Sequence, residues 1–167
     1  MTFPYRIERL GAQDRADFDC GVAVLNTYLQ RQASQDERRR VTACFLLIEA
    51  ASSAIAGYYT LSAGSVLLED LPEATSKKLP RYPTVPIVRI GRLAIDSRFQ
   101  GQKLGGVLLY DAIQRAASSD IAAFAVVVDA KDDAAVAFYQ HHGFTPFANL
   151  RRVLYLSIAD GLNRFAP

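Results

Sequence analysis

A strand, a glycine-containing turn and an apolar helix follow one another in the middle of this chain and constrain its fold most. Pro86–Asp96 (PIVRIGRLAID) predicts the strand, Gln100–Gly106 the turn and Val107–Ser118 the helix. In this order, successive backbone N–H groups point at one spot at the start of the helix, where the positive end of its dipole lies. Because glycine lets an anion approach the backbone closely, the segment predicts a pyrophosphate site.

The sequence of the turn excludes two common phosphate-binding motifs. The sequence QGQKLGG contains neither the GxxxxGK[ST] of a Walker A loop nor GxGxxG. Taken alone, a glycine turn before a helix is as compatible with a simple connection as with a phosphate site.

The segments before this motif predict a strand, a helix and a pair of strands. Phe3–Leu10 alternates weakly as a strand does, and Ala16–Glu37 has apolar residues at helical spacing. Thr42–Ala50 and Ala54–Ser62 predict two strands joined by a hairpin turn. The proline-rich segment Glu69–Pro86 predicts a surface loop or short helix.

The segments after the motif complete an α/β pattern. Ala122–Asp129 predicts a strand, Asp132–His142 a helix that ends at Gly143, and Arg152–Ile158 a last strand. The order of strands and helices predicts an α/β fold with one mixed sheet.

Length and composition predict a single globular domain over residues 1–167. Half of the 167 residues are hydrophobic and 22% are charged, with no repeat or low-complexity linker. The net charge of +2 is too small to indicate nucleic-acid binding by itself. No apolar run approaches the ~18 residues of a membrane span, and the N-terminus lacks the apolar core of a signal peptide. Cys20 and Cys44 have no metal-ligand spacing, and we expect them to be reduced in the cytoplasm.

The central turn resembles motif A of the GNAT superfamily of N-acetyltransferases, (Gln/Arg)-x-x-Gly-x-(Gly/Ala). Gln100 and Gly105 match its first and last positions, whereas Lys103 stands where the family has a middle glycine. Gly91–Asp96 (GRLAID) resembles the strand that pairs with the pantetheine arm of CoA, and Val128–Phe144 resembles the following strand and helix. This resemblance implies the GNAT fold, with one mixed central sheet flanked by helices.

The same resemblance implies a set of residues that bind acetyl-CoA as co-substrate. Lys103 must hold a backbone that glycine usually adopts, or the loop must shift, and its side chain could instead reach a CoA phosphate. The implied cofactor-binding residues are Leu93, Ala94, Ile95, Gln100, Gly101, Gln102, Lys103, Leu104, Gly105, Gly106 and Phe138.

The chain as a whole resembles the tRNA-acetylating toxins of type II toxin–antitoxin systems. The features that carry this are the N-terminal segment Phe18–Arg38, GYYTLS at Gly57–Ser62 and the Pro83–Pro86 stretch. The resemblance implies acetylation of the α-amino group of aminoacyl-tRNA, which blocks translation. It also implies a ribbon-helix-helix antitoxin and a homodimer as partners.

Tyr139 occupies the position of the GNAT general acid in this resemblance. A phenol with a pKa of about 10 can protonate a leaving thiolate with a pKa of about 8.5. The alternative is a packed core aromatic beside Phe138. His141 and His142 are candidates for a general base, or helix-end residues that complement the dipole. No dedicated base is required, since the α-amino group of an aminoacyl ester titrates no higher than about 7.7–8.0.

Several arginines and two lysines are candidate contacts to phosphate, and the alternative for each is an ordinary surface charge. Besides the five named below, they are Lys77, Lys78, Arg81, Arg151 and Arg152. Arg89 and Arg92 interrupt an apolar strand, and three residues apart they point to opposite faces, so they cannot do the same job. Asp129, Asp132 and Asp133 are interpreted as helix-capping and first-turn acids, and no metal is predicted. The RNA-binding candidates are Arg38, Arg39, Arg40, Arg89 and Arg92.

Two other functions stay open at the level of sequence. One is an N-acetyltransferase for a small amine or a protein amine, although Glu69, Asp70 and Glu73 form no dense acidic cluster for a polyamine. The other is an interaction module without activity, if Lys103 has abolished CoA binding.

Overall fold

A computed structural model describes residues 2–165, within which the chain forms a seven-stranded sheet and six α-helices. The strands are β1 (Tyr5–Arg9), β2 (Ala43–Glu49), β3 (Ile55–Leu67), β4 (Thr84–Ile95), β5 (Ala125–Asp129), β6 (Thr145–Pro146) and β7 (Val153–Ser157). The helices are α1 (Ala23–Thr27), α2 (Ala33–Arg38), α3 (Glu73–Ser76), α4 (Leu104–Ser118), α5 (Asp133–His141) and α6 (Ile158–Arg164).

The strands are ordered β1-β2-β3-β4-β5-β7-β6 in the sheet. β2 pairs antiparallel with β1 and β3, and β7 pairs antiparallel with β5 and β6. β4 and β5 are parallel, with Ile87 to Ile90 opposite Ala125 to Val128. The predicted α/β fold with one mixed sheet is therefore confirmed.

Two compact units make up the chain. The first comprises Met1–Ser62 and Gly91–Leu109, and the second comprises Ala63–Ile90 and Tyr110–Pro167. β3 and β4 therefore each contribute residues to both units.

Alternating strand residues build the core of each unit, because successive side chains of a strand point to opposite faces. In the first unit, Cys44, Leu46 and Ile48 of β2 pack with a buried cluster that includes Tyr28 and Tyr58. The core of the second unit contains Val85, Ile87, Ala125 and Val127, together with Leu71, Phe147 and Tyr155.

The helix predicted at Ala16–Glu37 is wrong over its first seven residues, which are not helical. The Asp19 side chain accepts hydrogen bonds from the Gly21 N–H and the Asn26 amide, both at 2.9 Å. Gly21 has a φ of +86°, so this turn competes with helix formation. Helical structure runs from Ala23 to Arg38, with a π-helical turn at Tyr28–Gln32 between α1 and α2.

Other boundaries differ by a few residues. β3 continues to Leu67, α4 begins at Leu104 and β5 begins at Ala125. The sequence patterns missed the two-residue strand β6 and the helix α6. α6 begins directly after β7, where the Ser157 hydroxyl accepts from the Asp160 N–H as an N-cap. Within residues 2–165, no helix combines the length and apolar character needed to cross a bilayer.

Candidate active site

The predicted anion-binding turn joins β4 to α4 in the first unit. A 3₁₀ turn at Ser97–Phe99 follows the strand, Gly101 has a φ of +82°, and α4 begins at Leu104. The first four N–H groups of an α-helix lack intrahelical partners, so those at the start of α4 are available to an anion. The helix starts three residues before the predicted Val107, so the last three residues of the predicted turn, Leu104 to Gly106, form the first turn of α4.

Lys103 adopts the left-handed conformation that its place in the glycine motif requires. Its φ is +61°, and it lies on the exposed surface of the turn. For a residue other than glycine this conformation costs roughly 1–2 kcal/mol. The lysine is therefore accommodated at the family's middle-glycine position, and it adds a cation beside the start of α4.

Two glutamine side chains brace the turn. Gln100 donates from its amide to the carbonyl oxygens of Ile95 and Cys20, at 3.0 and 3.3 Å. Gln102 accepts a hydrogen bond from the Tyr5 hydroxyl at 2.8 Å. These side chains position the turn, and its backbone N–H groups are the predicted ligands of the anion.

Asp96 was not among the residues predicted from the sequence, and its carboxylate links the turn to the N-terminal segment at Asp19. Its side chain is 1% exposed and accepts from the N–H groups of Asp19 and Arg98 at 3.0 and 2.9 Å. The Arg98 guanidinium also donates to it. Burial alone would raise the pKa of Asp96, but the hydrogen bonds from Arg98 and from the two N–H groups outweigh burial and lower it.

We expect Asp96→Asn to lower the free energy of unfolding at pH 7 by about 1–3 kcal/mol, because it removes charge-assisted hydrogen bonds from a buried site. A lowered pKa means that Asp96 stabilises the fold above its unfolded pKa of about 3.9 and that this contribution is lost as the pH falls through the folded pKa. Urea denaturation at pH 7 and pH 3 should therefore show that acid lowers the free energy of unfolding less in the variant than in wild type. Asp133→Asn is the control, since the Asp133 side chain is 80% exposed. Equal losses in Asp96→Asn and wild type would contradict the assignment.

The strand segment Leu93–Ile95, predicted to pair with pantetheine, packs closely against β3. A Cβ atom on Gly57 would lie only 2.8 Å from the Ala94 carbonyl oxygen. Glycine is therefore required at position 57 for this approach. An isolated glycine inside a strand pattern is the sequence signal for such a close approach.

Tyr139 and Phe138 lie in the second unit, on α5. The Asp132 side chain caps this helix by accepting from the Ala135 N–H at 2.8 Å, and Gly143 follows it with a φ of +93°. The predicted capping role of Asp132 is confirmed. Tyr139 is 8% exposed, with the rings of Phe138 and Phe144 at 5.1 and 5.4 Å.

The Tyr139 hydroxyl can act as a proton donor. Burial raises the pKa of Tyr139 to about 12, so the phenol is protonated throughout the physiological range. No group within residues 2–165 hydrogen bonds to this hydroxyl, whereas every fully buried side-chain N or O atom there has a partner. The oxygen is therefore partly accessible and is not engaged by the protein.

The two histidines at the end of α5 differ in environment. His142 packs against the rings of Phe138 and Phe165. Burial lowers the pKa of His142, and the nearby His141 and Arg164 lower it further. His142 is therefore neutral at pH 7, whereas His141 lies exposed on the surface.

The five candidate arginines fall into three environments. Arg38 is the last residue of α2, and Arg39 and Arg40 follow it. All three are exposed and have no carboxylate within 4 Å in the described part of the chain. Arg89 pairs with Asp129 at 2.8 Å. Arg92 instead places its guanidinium carbon 3.5 Å from the centre of the Tyr28 ring. Arg89 and Arg92 therefore differ in their contacts, and their roles stay a prediction.

Within residues 2–165, no cluster of three or more histidine, cysteine, aspartate or glutamate side chains could hold a metal ion. Cys20 and Cys44 are both buried and free.

The fold and the turn define an acetyltransferase. The model of the acetyltransferase (GNAT) domain matches residues 18–153, and the chain belongs to this family. Over 155 residues it is 35% identical to the tRNA-acetylating toxin of Mycobacterium tuberculosis (strain ATCC 25618 / H37Rv), with 90% of this chain and 91% of the relative covered.

Two solved structures of the protein AtaT are similar over nearly the whole chain. One is AtaT complexed with acetyl-methionyl-tRNAfMet, with a TM-score of 0.85, 30% identity, and 93% of this chain and 95% of AtaT covered. The other is a tyrosine-to-phenylalanine mutant of AtaT bound to acetyl-CoA and the C-terminus of the antitoxin AtaR. It has a TM-score of 0.82 and 25% identity, and it covers 99% of this chain and all of that one.

Proposed function

We propose that the protein is a toxin that transfers the acetyl group of acetyl-CoA to the α-amino group of aminoacyl-tRNA in the cytoplasm and so blocks translation. The observation that carries this proposal is the end-to-end similarity to a tRNA-acetylating toxin and to tRNA-bound AtaT, at 35% and 30% identity. The unpaired arginines at the end of α2 suit a polyanionic acceptor.

The turn and the start of α4 fit the pyrophosphate of acetyl-CoA. Gly101, Gln102, Lys103, Leu104, Gly105 and Gly106 would offer backbone N–H groups, and the Lys103 side chain would offer a positive charge. Leu93 to Ile95 would pair with the pantetheine arm, and Phe138 is a further proposed contact. This chemistry requires no metal.

The proposed reaction needs one proton donor. The neutral α-amine of the aminoacyl ester attacks the thioester carbonyl, an N–C bond forms, and the C–S bond breaks. Tyr139 would give its phenolic proton to the departing sulfur, which leaves as the thiol of CoA. The amine releases one proton to solvent as the amide forms, and a proton from solvent returns to the Tyr139 phenolate. Because the amine has a pKa of about 7.7–8.0, a useful fraction is already neutral at pH 7.

The test is acetylation of a panel of aminoacyl-tRNAs by the purified protein with labelled acetyl-CoA, read by mass spectrometry of the aminoacyl-adenosine released by RNase. We expect an acetyl group on the α-amine of one or a few members, and none on deacylated tRNA. Induction of the protein alone should stop translation. Acetylation of polyamines or protein amines without aminoacyl-tRNA would refute the proposal, and so would a failure to bind acetyl-CoA.

The proposed partners are a ribbon-helix-helix antitoxin and a second copy of the chain. The complex of AtaT with the C-terminus of AtaR supports an antitoxin as a partner. Co-expression with the protein of a short neighbouring reading frame should restore growth, and light scattering should give the mass of a dimer.

We expect reversal of the charges at Arg38–Arg40 to glutamate to weaken tRNA binding and to flatten its salt dependence. Each phosphate that an arginine no longer neutralises removes about 0.7–0.9 from the slope of log K against log salt. The slope is measured by fluorescence anisotropy between about 50 and 300 mM salt, a range that spans physiological ionic strength. Arg6→Glu is the control, because Arg6 is already paired with Glu8 at 3.2 Å. A wild-type slope in the triple variant would show that these arginines do not contact RNA.

A further inference from the structure

Arg92 is held on a rigid aromatic stack. Its guanidinium lies over Tyr28, and the Tyr28 ring stacks on Tyr58 with 6.4 Å between centroids and 16° between planes. Both rings are buried, at 2% and 0% exposure. The Tyr28 hydroxyl donates to Asp36 at 2.9 Å and the Tyr58 hydroxyl donates to the Leu25 carbonyl at 2.8 Å, so both rings are fixed at their far ends.

The backbone beneath Arg92 is fixed as well. The Arg92 N–H donates to the hydroxyl of Thr60, which is 1% exposed, at 3.0 Å. A Cβ atom on the preceding Gly91 would lie 3.1 Å from that hydroxyl, so glycine permits this contact without displacement. Side chain and backbone of Arg92 are therefore both held before any ligand binds.

Arg92 is partly buried, and its guanidinium has no carboxylate partner in the described part of the chain. None lies within 4 Å of it among residues 2–165, and the nearby Asp36 is engaged by Tyr28. Arg89, three residues earlier, has its charge balanced by Asp129. Since a partly desolvated charge without a counterion is unfavourable, Arg92 is poised for an anionic ligand.

Position along β4 distinguishes between possible anions. Arg92 immediately precedes Leu93–Ile95, the segment proposed to hold the thioester arm. The anion-binding turn begins beyond Asp96, four strand residues or about 13 Å away. The pyrophosphate at the turn is therefore remote from Arg92, and an anion on the acyl acceptor is favoured. A phosphodiester matches the planar fork of a guanidinium.

On the basis of the proposed function, we propose that Arg92, oriented by Tyr28, binds a phosphodiester of the acceptor RNA close to the amine that is acetylated. Tyr28 and Asp36 act as positioning residues through Arg92. Arg89 does not share this role.

The test compares two acceptors, aminoacyl-tRNA and a phosphate-free 3′-aminoacylamido-adenosine, for wild type, Arg92→Gln, Arg92→Lys and Arg89→Gln. We expect Arg92→Gln to raise KM for aminoacyl-tRNA about 10- to 100-fold. It should leave kcat/KM for the phosphate-free acceptor unchanged and lower the salt slope of binding to deacylated tRNA by about 1. Arg92→Lys should recover only part of the loss, because it keeps the charge without the planar stack. Arg89→Gln should resemble wild type.

A double-mutant cycle tests the positioning role. Tyr28→Leu should raise KM for aminoacyl-tRNA in the wild-type background but add little in Arg92→Gln, because both changes act on the same interaction with phosphate. Thermal unfolding identifies any variant that does not fold. If Arg92→Gln fails to fold, Arg92→Lys is compared with wild type in its place.

Three results would overturn the inference. They are an unchanged KM for aminoacyl-tRNA in Arg92→Gln, equal losses with both acceptors, and an equal effect of Arg89→Gln. Failure of the proposed function looks different, because wild-type protein would then acetylate no aminoacyl-tRNA at all, and the inference would fall with it.

Discussion

Tyr139→Phe is expected to reduce kcat and kcat/KM together by about 10²–10⁴-fold while leaving the affinity for acetyl-CoA within about twofold of wild type. Charge develops on sulfur mainly as the C–S bond breaks, so a donor to that sulfur stabilises the transition state and barely affects the bound thioester. Phenylalanine keeps the contacts of the ring with Phe138 and Phe144, and the variant should fold. Initial rates with aminoacyl-tRNA and calorimetry with acetyl-CoA measure the two effects.

The pH dependence of the wild-type enzyme gives an independent check. Because burial raises the pKa of Tyr139 to about 12, the phenol stays protonated and ready to donate throughout the neutral and mildly alkaline range. The rise in activity with pH should follow the acceptor amine near 7.7–8.0, with no loss due to Tyr139 below about pH 11. Near-wild-type turnover in Tyr139→Phe would reduce Tyr139 to a core aromatic and direct attention to His141 and His142.

Gly105→Val is expected to raise the Kd for acetyl-CoA at least about tenfold, and CoA without its acetyl group should be affected equally. Gly105 is the second residue of α4 and lies in its first helical turn, where the N–H groups lack intrahelical partners. A branched side chain there obstructs the approach of the pyrophosphate to these donors. Removal of each charge-assisted hydrogen bond costs about 1.5–3 kcal/mol, and about 1.4 kcal/mol is a factor of ten in Kd.

Ser118→Val is the matched control for this prediction. It places the same β-branched residue at the other end of the same helix, where the side chain is exposed. Calorimetry with both CoA forms, together with thermal unfolding without ligand, separates an effect on binding from an effect on folding. If Gly105→Val binds acetyl-CoA as wild type does, the start of α4 is not the pyrophosphate site.

The parts of the fold that depend on residues close together in the sequence could be predicted from the sequence. The core strands β2 and β5, the cap at Asp132 and the end of α5 at Gly143 all follow from local spacing and local backbone preference. The same local logic failed at Ala16–Val22, because hydrogen bonds of Asp19 compete with the helix there. It also missed α6, which follows β7 without a loop.

The sequence by itself determined the class of the protein, because the resemblance to the GNAT motifs lies in contiguous segments, Gly91–Asp96, Gln100–Gly106 and Val128–Phe144, whose order along the chain can be recognised without the fold. Only the tertiary structure decided which partner each charged side chain contacts. Asp19 and Asp96, 77 positions apart, meet beneath the turn, and Arg89 finds its partner 40 positions away at Asp129. Arg92 receives an aromatic ring instead of a carboxylate. Such pairings depend on which strands and helices are neighbours in the fold, and the spacing of residues along one chain does not carry that information.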